Sequence, residues 1–570
     1  MRAMFLTAAR FRLAVGRLEP AATVISFACL GGALAAIYLS RLQEGLFEDG
    51  YFVKRFAYNF LHHGSFSWNP TDGPVYGMTS QTLQLIGTLL ELVTPEHVFV
   101  TLKGVLFGAL LLTAFVLYRI LAAKGALFGA ALSQPTPSSE GTVGLIGCVA
   151  GLAMAPIVQL PLIGLETPIA LCVVALSLWV VLKPITGGRS FVLITASVIL
   201  MYLTRPDAAM IPCVVLVGRA FYCWRDRAQP SARRELSQLI GALLCIALVM
   251  AVVLAGFRAY YGTALPLPFY VKVHGLSTQP TEYIAHFSDE KSDNALQALL
   301  IALPYAFMAL HERSRLVLLL LATGVVFGLY HYFATIETMG YMSRFYLPGL
   351  VPIFLAGAVA YRSYQQRRRW ILSVAFSAIL LGAFWWLKTV DKMPPALDFY
   401  VPAWIATALM LLGPAGVNPL NSIVAAACLL VGAYLAYPIG ELHFDDDDTI
   451  VLRQARRRAG FAGIERLRAL APKTVYHTDM GAPGVLFLEA RVVDLDGLLN
   501  EDITLRGARF EDLCQADRPD AVYVPYEGYQ RLRQEVLSSA CLSGYPAVAG
   551  GKSVQLRLRE DVAARYRVRK

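Results

Sequence analysis

Apolar runs recur along this chain at about 22–40, 98–118, 143–158, 163–182, 190–204, 206–222, 236–257, 295–310, 314–334, 345–361, 370–387, 400–413 and 421–438. About twenty consecutive apolar residues cross a bilayer as a helix. The expected fold is therefore an α-helical polytopic membrane protein of about 13 spans. Composition agrees: 56% of the 570 residues are hydrophobic and only 16% charged, against roughly a quarter charged in a soluble protein. A net charge of +10 would suit nucleic acid, but much of the excess sits in short loops between the apolar runs, as a membrane topology requires. Nucleic acid is not expected as a partner; membrane lipid is. Arg2, Arg10, Arg12 and Arg17 precede the first run and no small-residue cleavage site follows it. That run reads as an uncleaved span with its N-terminus in the cytoplasm.

The loop charges set the orientation. Alternate loops carry Arg119 and Lys124, Lys183 and Arg189, Arg225 to Arg234, Arg313 and Arg315, and Arg367 to Arg369, which assigns them to the cytoplasm. The opposite set holds the first outer loop at 41–97, the turns at 159–167 and 204–207, and the loops at 258–293 and 337–344. Residues 1–440 thus read as the transmembrane domain and 441–570 as a small extracytoplasmic α/β domain. Within the latter, helices are expected at 450–470 and 526–538, and strands at 474–477, 491–494, 521–524 and 554–558, with glycines marking the turns. Asp445 to Asp448 suggest a calcium site, but a solvated helix N-terminus is the favoured reading. Seven of the nine cysteines lie in or beside apolar runs, where they act as small hydrophobes. Cys514 and Cys541 lie in the polar tail, where a disulfide is open to them and two free thiols are preferred.

The first outer loop concentrates chemistry. Paired acids, Glu48 and Asp49, precede an amphipathic segment with Phe52, Phe56 and Phe60 at helical spacing between Lys54, Arg55 and Asn59. Sorting ionisable residues by side places Glu48, Asp49, Glu166, Arg205, Asp207, Lys272, Glu337 and Arg344 at outer span ends or in outer loops. Charges at membrane depth are costly unless paired or lining a wet cavity, so these eight imply a polar cavity opening outward. The plainer reading is interfacial salt bridges and snorkelling side chains, which suits Lys272 but not the Arg205-Pro206-Asp207 turn between two apolar runs. For Asp49 the plainer reading is a helix cap. For His63 it is capping or loop packing rather than catalysis or metal binding. Tyr270 and its aromatic neighbours suit sugar stacking, although interfacial aromatics are common for membrane reasons alone.

EDGYFVKRFAYNFLHHGSFSWNP at 48–70 resembles the first-loop pattern of the GT-C glycosyltransferases, above all the terminal arabinofuranosyltransferases of mycobacterial cell walls and their bacterial relatives. The resemblance continues through GLETP at 164–168, LTRPD at 203–207, YYGTALPLPFYVKV at 260–273, SRFYLPGLVP at 343–352 and DMGAPGVLFLEARVVDLDGLLN at 479–500. It implies a transferase of the bacterial inner (plasma) membrane. The donor would be a polyprenyl-phosphate-linked sugar, with arabinofuranose the sugar that the branch implies, and the acceptor an extracytoplasmic glycan, lipid or protein. Asp49 and Glu48 would be the catalytic acids. Arg205, Arg344 and Lys272 would hold the donor phosphate, and Glu166, Asp207, Tyr270, Glu337 and His63 the sugar or acceptor. No metal ligand set or cofactor is assigned, although the resemblance leaves room for a divalent cation at the phosphate. Two departures bear on the sugar and acceptor: Glu48 replaces the usual Asp, and Val75-Tyr76-Gly77-Met78-Thr79 lacks the family's acid. The rival readings are a transporter or flippase of lipid-linked saccharides, which would be expected to carry a repeat, and a non-catalytic envelope protein that binds lipid-linked intermediates.

Overall fold

A computed structural model gives the fold. It describes residues 45–122, 163–185, 187–272, 288–335, 343–367, 445–551 and 555–568, with four further positions between 374 and 382. The runs expected at 22–40, 143–158, 400–413 and 421–438, and nearly all of 370–387, lie outside the described residues. The other eight each fall on a helix: Val98–Ala122, Thr167–Val181, Gly188–Thr204, Met210–Arg225, Pro230–Tyr261, Ser288–Ala309, Arg315–Ala334 and Leu347–Arg367. Among the described residues four helices are long and apolar enough to cross a membrane, beginning at Val98, Asp207, Pro230 and Arg315, and three shorter apolar helices accompany them. Their ends follow from local chemistry. Ser314 accepts the Val317 N–H, Pro206 stops the helix that ends at Thr204 by removing a donor and fixing φ, and Gly262 closes the 32-residue helix at φ +78°.

Two helices, Phe52–His63 and Gln81–Val93, occupy the first loop, ahead of the helix Val98–Ala122. Phe52 and Phe56 are buried, as their spacing predicts, but so are Lys54, Arg55 and Asn59. Their cover comes from the tail. Lys54 pairs with Asp447 at 2.7 Å. Arg55 donates to the Trp68, Gly484, Phe487 and Ala490 carbonyls and to Asn69 Oδ1, at 2.5 to 2.9 Å. Trp68 Nε1 donates to the Val492 carbonyl at 2.8 Å. A charged group buried this deeply is tolerated only when its donors are satisfied, and here Arg55 is met by four backbone carbonyls and the Asn69 amide oxygen, from 68–69 nearby and 484–490 in the tail.

After residue 445 the chain builds a five-stranded sheet in the order β2-β1-β3-β5-β4, with strands Thr474–His477, Arg491–Asp494, Ala521–Val524, Ala547–Gly550 and Gln555–Leu558. β1 runs parallel to β2 and β3, while β5 is antiparallel to β3 and β4. Alternation sorts the side chains onto two faces. Val475, Val492, Tyr523 and Leu556 join the same apolar core as Leu46, Phe56 and the helices. Tyr476, Val493, Val522 and Val524 form a second core with Phe510 and Val536. Cys514 and Cys541 are joined as a disulfide at the edge of that second core, which corrects the preference for free thiols. The helix Phe510–Asp517 and the turn Ala540–Gly544 are brought together by the sheet, a proximity that spacing alone does not reveal. The helix expected at 450–470 is broken into Asp447–Arg456 and Ile464–Ala469, because Gly463 adopts φ +76°, a conformation glycine takes without penalty. The acidic run is a helix N-terminus, solvated at Asp446 but not at Asp447. Asp446 caps the Thr449 N–H, while buried Asp447 also accepts the Val98 and Phe99 N–H groups.

Candidate active site

Asp49 sits in a short turn, Glu48–Tyr51, ahead of the helix that starts at Phe52. That helix has Tyr51 at its N-cap with no side-chain bond, so Asp49 is not its cap. The turn is docked by the Phe47 N–H on the Ile163 carbonyl at 3.1 Å. Gly50 permits this close approach, since a Cβ there would come within 2.7 Å of the same carbonyl oxygen. Asp49 is thereby set facing Glu166, which precedes the helix Thr167–Val181, and the Arg205 turn between two helices.

These ends enclose a cavity of about 290 Å³. Asp49, Glu166, Arg205, Asp207, His331 and Arg344 supply its charge and hydrogen bonding. Phe52, Leu83, Leu165, Leu265, Pro266, Phe269 and Leu498 supply apolar wall. The two guanidiniums differ in their company. Arg205 is buried, with its Nε 3.1 Å from Asp207 and its Nη1 3.7 Å from Glu166, and it donates to the Arg344 carbonyl at 3.2 Å. Arg344 lies 3.7 Å from Asp49. Both guanidiniums sit 5.0 Å from the Phe345 ring centroid, a favourable cation–π placement. His331 Nε2 lies 2.8 Å from the Asp207 carboxylate. The Arg344 turn is held by Ser343, whose Oγ donates to the Asn294 carbonyl at 2.7 Å.

Glu48 is separated from its neighbour. It is buried, paired with Arg458 at 2.6 Å, and accepts the Ala482 N–H at 3.0 Å. Burial, then the charge of Asp479, pushes its carboxyl up to about 7 despite Arg458. Glu48 thus belongs to the contact between first loop and tail, and it is not among the cavity's lining residues. His63 is exposed at the end of its helix, with its ring 6.4 Å from Tyr58, away from the cavity lining. Tyr270 is half-buried one residue past Phe269 and is also outside the lining. Glu337 and the Lys272 side chain lie outside the described residues. Among the described residues no group of three or more His, Cys, Asp or Glu side chains is arranged to hold a metal ion.

His331, Phe345 and Leu498 belong to the cavity but were not picked out from the sequence. His331 carried a signal, as an ionisable group near the end of an apolar run. Leu498 carried none. It reaches the cavity because the Asp494 carboxylate accepts the Asp496 and Leu499 N–H groups, both at 2.8 Å, shaping the loop that also seats Leu499 against Gly77.

No family model matches the chain, and no curated protein matches it. Among solved structures, the crystal structure of ArnT from Cupriavidus metallidurans in the apo state is similar, with a TM-score of 0.57, 14% identity and coverage of 95% of this chain and 99% of that one. The crystal structure of the same protein bound to undecaprenyl phosphate gives a TM-score of 0.54 and 12% identity, covering 94% and 97%. At such identity the likeness establishes a shared fold.

Proposed function

We propose that this protein is a membrane glycosyltransferase that moves a sugar from a polyprenyl-phosphate donor to a hydroxyl of an extracytoplasmic glycan, lipid or protein. One observation carries the reading: a cavity at the outer helix ends holds Asp49 beside Arg344, with Arg205 next to it. The fold is shared with a protein crystallised with undecaprenyl phosphate. The acceptor oxygen attacks the anomeric carbon, the bond from that carbon to the phosphate oxygen breaks, and the hydroxyl proton passes to Asp49. A positioned carboxylate is the group such a step needs, and fixed guanidinium charge stabilises the departing phosphate.

Arg344 is the principal phosphate ligand in this reading. Arg205 is already opposed by both Glu166 and Asp207 and holds the Arg344 backbone in place. Glu166 and Asp207 face the sugar or acceptor, and Lys272 and Glu337 keep the roles that the resemblance gives them. Arabinofuranose as the sugar rests on the motifs alone. Glu48 supports the loop rather than the chemistry. The site and the tail face the extracytoplasmic side. This is supported by the basic loops at the opposite helix ends and by the Cys514–Cys541 disulfide, a bond that persists in oxidising compartments.

The test is transfer itself. Purified protein in detergent is given a polyprenyl-phosphate donor with radiolabelled sugar and a cell-envelope acceptor fraction. Label appearing in the acceptor supports the reading. Label that stays on the donor, while lipid-linked saccharide crosses the membrane of proteoliposomes, would replace it with a transporter.

A further inference from the structure

His331 lines the cavity but has no part in the reaction above. It sits in the last turn of the helix Arg315–Ala334 and is 2% exposed. Aromatic rings surround it: the Phe327, Tyr330 and Tyr346 centroids lie 4.7, 5.1 and 6.0 Å away, and the Phe345 ring stacks on it at 5.8 Å. An imidazole buried among rings gives up its hydration and needs polar neighbours in return. Both nitrogens have one. Nε2 lies 2.8 Å from the Asp207 carboxylate, and Nδ1 lies 3.3 Å from Thr335 Oγ1.

Asp207 and Phe345, which His331 touches, also hold the two guanidiniums. Asp207 accepts Arg205 Nε at 3.1 Å, and Arg205 Nη1 donates to the Arg344 carbonyl at 3.2 Å. The Arg205 and Arg344 guanidiniums each lie 5.0 Å from the Phe345 centroid. We propose that His331 is a positioning residue for the donor phosphate: through Asp207 and Phe345 it fixes Arg205 and Arg344 at their spacing beside Asp49. The assignment rests on the phosphate reading of the cavity given above. Its nitrogens face a carboxylate and a threonine hydroxyl, which leaves the phosphate itself to the guanidiniums. Polar groups joined in this way act as a unit. Without His331, Asp207 gains freedom to turn, and the Arg205 guanidinium and the Arg344 carbonyl move with it. The phosphate contacts then weaken although neither arginine has been removed.

Binding of radiolabelled undecaprenyl phosphate to the full-length protein in detergent tests it. His331→Phe keeps a ring among the aromatic neighbours and removes both nitrogens; His331→Leu takes its place if that variant does not fold. Affinity is expected to fall about tenfold, because small misplacements of a binding group are costly. His331→Gln, whose amide can again meet Asp207, is expected to stay within about threefold of wild type. In an Arg344→Ala background the His331→Phe change should cost less than about twofold, because residues that act through one another are not additive. Wild-type affinity in His331→Phe would overturn the proposal. So would a loss undiminished in the Arg344→Ala background, or an equal loss in His331→Gln and His331→Phe, which would mark a packing role. Wild-type protein that binds no undecaprenyl phosphate would overturn the donor reading and this proposal with it. Binding that depends on His331 as expected, in a protein that transfers no sugar, would overturn the reaction alone and support the assignment.

Discussion

Replacing Arg55 by methionine keeps much of the side chain's bulk and removes every donor. Two carbonyls, those of Gly484 and Ala490, lose the guanidinium that holds them, while the Phe487 carbonyl loses it but retains the Ala490 N–H at 3.0 Å. The Trp68 carbonyl retains Asn59 Nδ2 at 2.9 Å, and Asn69 Oδ1 retains the Val492 N–H. A buried group left unpaired costs about 1–3 kcal/mol, and removing a buried charge returns part of that. The net loss expected is about 3 kcal/mol, concentrated where the tail meets the first loop. Hydrogen exchange reads it locally. Amides of 480–495 should exchange roughly 100-fold faster, because 1.4 kcal/mol is about tenfold, while those of Pro230–Tyr261 stay unchanged. Arg55→Lys should recover only part, since one ammonium cannot span five acceptors. Unchanged protection at 480–495 in Arg55→Met would refute the view that this arginine joins tail and loop.

Other expectations follow from the same contacts. Glu48 binds its proton more tightly in the folded state, at about 7 against 4.5, so its contribution is fully present below 4.5 and is lost as pH rises towards 7. Thermal stability should fall by about 3 kcal/mol over that window; the slope should flatten in Glu48→Gln, and an unchanged slope would contradict the assignment. Cys514 and Cys541 should resist maleimide in the native protein until reduced, and the paired Cys→Ser variant should lose roughly 3 to 4 kcal/mol for a loop of this length, read by thermal unfolding. Arg344→Ala should raise the donor KM about ten- to a hundred-fold through loss of a charge-assisted contact, measured by donor titration. Arg205→Ala should instead lower kcat and thermal stability together, because Glu166 loses this cation and Asp207 keeps only its His331 contact of the two pairings described; equal effects on donor KM alone would place both on the phosphate.

Much of this was legible where the signal is local. The eight apolar runs within the described residues fall on helices, and β1 to β3 matched their expected bounds residue for residue, since β-branched runs between glycines and charges are unambiguous. Asp49, Glu166, Arg205, Asp207 and Arg344 share one cavity, as sorting by membrane side implied. What failed was whatever depends on a distant partner. Lys54 and Arg55 read as a polar face because the tail groups that cover them, Asp447 and the carbonyls of 484–490, lie about 400 residues away. Glu48 read as a second acid supporting Asp49, yet neighbours along a tight turn point different ways, and Arg458 pairs with it outside the cavity lining.

Asp49 bears the central claim, and Asp49→Asn tests it with the least disturbance, because the side chain keeps its shape and loses the ability to accept the proton. Turnover at saturating donor should be measured beside donor binding, with Glu48→Gln as the companion. The expected result is turnover at least about a hundred-fold down in Asp49→Asn with donor binding kept, and turnover largely kept in Glu48→Gln. Near-normal turnover in Asp49→Asn would contradict the assignment, and a collapse in Glu48→Gln alone would move the base one residue back along the chain.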